Sequence, residues 1–83
     1  MVVIDKKGIA VQIGQNVKRL RLNKNLSMQD LATVAEIEKS QIYRVEHGVF
    51  DLKISTLFVL AKALDVEVCD LLSGTKDQTP KDQ

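Results

Sequence analysis

The stretch from Ser27 to Gly48 constrains this chain more than any other, because its apolar residues recur at helical spacing in two short runs parted by about three residues. Leu31 and Val34 supply the inward side of the first run, and Ile42 and Val45, three apart, that of the second. Ser27 suits an N-cap, and Asp30 stands three positions on, near the positive end of the new helix. Ala32 carries only a methyl, so a second helix can approach closely there. After Ala35 and Glu36 the second run extends from about Glu38 to His47, and Gly48 is its stop. Two helices this short, this closely joined, suit a helix-turn-helix, in which the second helix enters the DNA major groove.

The flanking residues continue the same period. Ile13, Val17 and Leu20 fall at i, i+4 and i+7, a first helix with Lys18, Arg19 and Lys24 off the apolar stripe and Asn23 and Asn25 at its end. Beyond a loop through Asp51, Ser55 or Thr56 is expected to cap a fourth helix carrying Leu57, Leu60, Ala61 and Leu64. A short fifth runs from about Val68 to Leu72 and closes at Gly74. Two-residue alternation is absent over any useful length, so the expected fold is all-α, a compact five-helix bundle containing a helix-turn-helix. Residues 1–8, ending at Gly8, read as an N-terminal extension in which Val2, Val3 and Ile4 either form a short strand or pack loosely. Residues 9–74 form the domain. Residues 75–83 hold no large apolar side chain and are expected to be a disordered C-terminal tail.

Composition narrows the function. With 83 residues there is one small domain at most, which excludes most self-contained enzymes. A domain of this size buries only about 60% of its unfolded surface, which favours dimerisation. The net charge of +1 does not advertise a polyanion partner, but residues 9–47 carry a local balance of +2 and residues 48–74 one of −2. That asymmetry fits either a polyanion-facing side or a solvated charge pattern. The single Cys69 cannot form an intramolecular disulfide, and no Cys or His cluster has metal-ligand spacing, so no cofactor or metal is expected. A reducing, cytoplasmic location fits. No apolar run approaches the roughly 18 residues of a membrane span, and Met1–Ile4 is too short for a signal peptide. Paired carboxylates, a glycine-rich phosphate loop and a histidine-linked nucleophile are all missing, so the chain is not read as an enzyme. Cys69 is better explained as a small hydrophobe or an exposed thiol.

Leu31-Ala32, Ile37, Ile42 and the run Arg44-Val45-Glu46-His47-Gly48 resemble the Xre or Cro/repressor helix-turn-helix family. Leu20-Arg21 upstream, with Ser55-Thr56-Leu57 and Leu60-Ala61-Lys62-Ala63-Leu64 downstream, extend the resemblance over roughly residues 13–72. It implies a lambda repressor-like DNA-binding domain. It also implies that Arg21 of the first helix meets Glu46 of the recognition helix as an ion pair setting that helix's angle; otherwise the two are unrelated surface charges. Three positions depart from the family pattern. Glu36 stands where glycine is common in the turn, and would be strained if its φ is positive. Glu38 replaces the usual Ser or Thr before the recognition helix, and Met28 replaces a frequent Gln.

If Ile42 and Val45 point inward, Lys39, Ser40, Tyr43 and Arg44 share the opposite face, with 39/43 and 40/44 as i, i+4 pairs. These four, with Gln41 between the faces, are the candidates for base contact. Arg44 or Lys39 could reach guanine O6 and N7, Tyr43 a thymine methyl or a phosphate, and Gln41 an adenine. The alternative is a solvated charged face with Tyr43 packed on it. Ser27, Met28 and Gln29 at the opening of the second helix, His47, and Lys53 in the following loop are the backbone-contact candidates, though Met28 cannot supply the hydrogen bond of a glutamine. Phe58, Val59, Val66 and Cys69 are apolar groups left over from the core stripe, a candidate homodimer face. The expected function is a sequence-specific transcriptional regulator binding double-stranded DNA at a pseudo-palindromic operator as a homodimer. The alternative is a protein-interaction module of the same fold, such as an antitoxin with a toxin partner.

Overall fold

The computed structural model describes residues 5–49 and 52–74. Their order is α1 (Lys6–Asn23), α2 (Met28–Ala35), α3 (Lys39–Glu46), α4 (Ile54–Ala63) and α5 (Val68–Leu71), and no strand occurs among the described residues. The helices close a ring: α1 packs on α3 and α5, α2 on α3 and α4, and α4 on α5. At its centre Val17, Leu31, Ile42, Leu60, Leu64 and Leu71 are fully buried, one or two from each helix or its cap. The residues expected to form the disordered tail, the possible strand at Val2–Ile4, and Asp51 lie outside the described residues.

Helix α1 begins earlier than the break at Gly8 suggests. The Asp5 side chain caps it, accepting from the Gly8 amide at 2.9 Å, so Gly8 lies in the first turn and the helix crosses the expected domain edge. Further along, Gly14 is where α1 meets α3: a Cβ there would collide with the backbone carbonyl of Val45. A mid-helix glycine costs roughly 0.5–1 kcal/mol against alanine, offset here by the close packing that its missing side chain permits.

Helix α2 opens with a reciprocal box: the Asp30 amide donates to Ser27 Oγ, and the Ser27 amide to Asp30 Oδ2, each at 2.9 Å. Hydrogen bonding from Ser27, its backbone amide first and its side chain second, holds the Asp30 carboxyl below its ordinary range against a small opposing desolvation. The buried side of α2 is Leu31, Ala32 and Ala35; Val34 is 57% exposed, not inward as its spacing suggested. At about 100° per residue, Val34 sits roughly 110° round the helix from the centre of that stripe. The helix ends at Glu36, which takes φ 59°, ψ 41°, the left-handed conformation a glycine would adopt more easily. Its amide bonds back to the Thr33 carbonyl, and the next amide, Ile37, to that of Ala32.

Helix α4 starts at Ile54 with Lys53 as its cap residue, and neither Ser55 nor Thr56 caps it. The Lys53 carbonyl already accepts from the Thr56 and Leu57 amides, which draws Ser55 and Thr56 into the first turn. Lys53, Ile54 and Ser55 are exposed, so water can serve the opening amides that a capping side chain would otherwise satisfy.

Candidate nucleic-acid interface

Helix α3 owes its orientation to both of its ends. At its start Glu38 provides no capping side-chain bond; instead Gln41 reaches back, its Oε1 accepting from the Glu38 amide at 3.3 Å. At its finish His47 is the cap residue, and Gly48 follows with φ 78°, its α-carbon so close to Val11 that a Cβ would lie 2.8 Å from Val11 Cγ2. Ile42 and Val45 are buried beneath it.

Arg21 and Glu46 meet. Arg21 Nε donates to Glu46 Oε2 at 2.7 Å and Nη2 to Oε1 at 3.1 Å, a two-pronged pair whose side chains are only 8% and 1% exposed. The third arm, Nη1, donates to the Leu26 carbonyl at 2.8 Å. One guanidinium therefore ties the end of α1, the α1–α2 connection and the last turn of α3 together. Desolvation offsets much of the Coulomb gain of such a pair, so its main effect is to fix geometry.

With its inner side so held, α3 turns Lys39, Ser40, Gln41, Tyr43 and Arg44 outward, all exposed. Arg44 and Gln41 also border a cleft against Val49, Leu52, Lys53 and Thr56, which puts Lys53 beside α3. The opening of α2 presents Ser27 and Gln29, both exposed, the latter's Nε2 donating to Thr33 Oγ1 at 3.3 Å. Met28 is different: it is half-buried and packed against the core. Lys18 and Arg19 are exposed on α1, and Lys24 at its C-cap. His47, also exposed, stacks on Tyr43 with ring centroids 3.8 Å apart.

Two features escaped the sequence reading. Asn16 is buried, and its Nδ2 donates to the carbonyls of Leu71 and Ser73, both at 2.8 Å, while its Oδ1 accepts from Gln12 and Arg19 at 3.2 Å. The only signal was a polar residue three positions beyond Ile13, on the edge of the apolar stripe of α1. On α4, Ile54 is 71% exposed and joins Phe58, 60% exposed, at i+4. Of the other residues expected on that face, Cys69 is exposed, whereas Val59 and Val66 are half-buried against the core.

The described residues contain no group of three or more His, Cys, Asp or Glu able to hold a metal ion, and no helix long and apolar enough to cross a membrane. A short helix, clamped from behind and polar in front, defines a helix-turn-helix module. The family described as helix-turn-helix matches residues 17–71, and the chain belongs to it. A relative in Serratia marcescens, control protein C.SmaI, is 36% identical over 68 residues, covering 80% of this chain and 81% of its own. The restriction-modification controller protein C.AhdI from Aeromonas hydrophila has a similar structure, with TM-score 0.72 and 34% identity over 75% of this chain and 94% of its own. So does SinR, described as the master regulator for biofilm formation and solved in complex with DNA, with TM-score 0.69 and 34% identity over 74% and 98%. The chain spans 22% of the length of one curated relative and about half of two others, against 81% and 84% of two control proteins.

Proposed function

We propose that this protein is a sequence-specific transcriptional regulator that binds a pseudo-palindromic operator as a homodimer, with α3 in the major groove. The observation that carries this reading is the two-sidedness of α3: Ile42, Val45 and the Arg21–Glu46 pair hold its inner side, and Lys39, Ser40, Gln41, Tyr43 and Arg44 stand together outside. Arg44 and Lys39 read guanine acceptors, with Ser40, Gln41 and Tyr43 at neighbouring bases. Ser27, Gln29 and Lys53 bind phosphates and set the register; Met28, committed to the core, leaves that group. The names of C.SmaI and C.AhdI as control proteins, and the DNA in the SinR complex, support the regulatory role.

The dimer face is centred on Ile54 and Phe58 of α4, with Cys69 of α5. A two-fold axis there sets two recognition helices into successive major grooves, about 34 Å apart. Arg44→Ala and Lys39→Ala should each weaken binding to the cognate duplex by about 1–3 kcal/mol and far less to a scrambled one. Lys53→Ala should weaken both duplexes alike and lower the salt slope by about 1. Titrations of the three variants against both duplexes at several salt concentrations test this. If both α3 variants bind the cognate duplex like the parent with specificity unchanged, α3 is not the reader.

A further inference from the structure

The outward face of α3 carries one feature that base contact alone does not explain. Tyr43 and His47, one helical turn apart, lie ring on ring, with centroids 3.8 Å apart and planes 19° from parallel. His47 Nδ1 is 2.8 Å from the Tyr43 carbonyl oxygen. A carbonyl can only accept, so Nδ1 carries the hydrogen and donates it, leaving Nε2 at the far edge of the ring. The imidazole is thus tied to the helix end by its own hydrogen bond and lies flat against the phenol.

An exposed tyrosine on a helix has two open χ1 wells, and an unconstrained ring divides its time between them. A second ring fixed against one side removes that freedom before any partner arrives, and an interaction that costs no ordering at the moment of binding contributes more of its strength to affinity. We infer that His47 is a positioning residue for Tyr43, holding the phenol in the orientation in which it meets a base, and not chiefly a phosphate anchor. This rests on α3 being the DNA reader. It makes discrimination at the base pair facing Tyr43 depend on a histidine that touches no base itself.

The chain has one tyrosine, one histidine and no tryptophan, so both rings can be observed without ambiguity. In proton NMR spectra of the full chain at one fixed pH, the His47 ring protons should be displaced upfield by the phenol, and Tyr43→Leu should remove the displacement. Unshifted His47 protons in the parent would overturn the stack itself. The functional arm uses the duplex that the parent enriches from a randomised pool, together with its single-base variants. His47→Ala should reduce discrimination at one base pair by about three- to tenfold, the span an aromatic pair of this kind supplies. Tyr43→Ala should do the same at the same base pair, and the double variant no more than either alone. His47→Phe should restore most of what His47→Ala loses, because it keeps the ring and discards both nitrogens. A phenylalanine variant as impaired as the alanine one, with a lower salt slope and an equal loss on scrambled DNA, would make His47 a phosphate anchor and overturn the inference. A parent that enriches no duplex would remove the DNA reading, and the positioning role with it; a parent that enriches one while His47→Ala keeps full discrimination would remove the positioning role alone.

Discussion

The half of the molecule built from α2 and α3 and the half built from α4 and α5 use similar lengths of chain in opposite ways. In the first, polar groups are satisfied within the subunit: Ser27 and Asp30 cap each other, Gln41 closes the start of α3, and Glu46 is bound twice by Arg21. In the second, α4 has no side-chain cap and exposes Ile54 and Phe58, and α5 is a four-residue turn whose start Asp70 closes but whose end is held from outside by Asn16. The rigidity of the first half suits the proposed reading of DNA by α3, because a recognition helix that shifts loses its register on the bases. The exposed apolar face of α4 is the one to which the proposed homodimer assigns its second subunit.

The sharpest way to break that contrast is to open the clamp on α3. Glu46→Ala strands the Arg21 guanidinium in a nearly buried site and should destabilise the fold by about 3–5 kcal/mol in urea unfolding. Replacing both partners by apolar residues, Arg21→Met with Glu46→Leu, should cost much less than the two single losses added, since no buried charge is then left unpaired. Full additivity would mean that the pair does not act as a unit.

Next comes the attachment of α5. Asn16→Ala leaves the Leu71 and Ser73 carbonyls without their donor and should cost about 1–3 kcal/mol. Amide hydrogen exchange should quicken in residues 68–74 while α2 and α3 keep their protection; uniform quickening would mean that the two halves unfold as one. Smaller still, Ser27→Ala removes the hydroxyl half of the α2 box and should cost about 1 kcal/mol by thermal unfolding. The cap also has a pH signature. Folding lowers the Asp30 pKa, so the unfolded state binds more protons between the two pKa values, and the contribution of Asp30 is complete above the ordinary value and is lost as pH falls through the depressed one. Asp30→Asn should flatten the acid limb of the stability profile and leave its neutral limb with the same slope.

The smallest effect on the fold should come from the face held open on α4. Phe58→Ser should change the stability of the dilute, monomeric protein by no more than about 0.5 kcal/mol, since the ring is already exposed. The same change should shift self-association to higher concentration in sedimentation runs. A large loss of monomer stability would show that Phe58 covers its own core after all.

Much of the helix-turn-helix was legible because its signals are local. A cap and its partner three residues on, a glycine stop, and outward side chains opposite Ile42 and Val45 all act within about one helical turn. The contact between Arg21 and Glu46 spans 25 positions and was reached only through the family resemblance. Val34 shows where local pattern ends. An eight-residue helix carrying Leu31, Ala32, Val34 and Ala35 offers two nearly equal apolar sides, and the one chosen buries two alanines because small residues let α2 pack closely against its neighbours. Gly8 and Lys53 show the same limit at helix starts, where Asp5 and a solvated first turn moved the boundary.

By itself the sequence determined the number and order of helices, their stops at Asn25 and Gly48, and which side of α3 faces outward, since each follows from side chains within four residues of one another. Only the tertiary structure decided that Gly14 is the close approach of α1 to α3, that Asn16 satisfies the end of α5, and that Ile54 joins Phe58 in the open. Those outcomes depend on what lies across the bundle, and a buried carbonyl or a close backbone selects its partner by distance in space, which the order of residues along the chain does not encode locally.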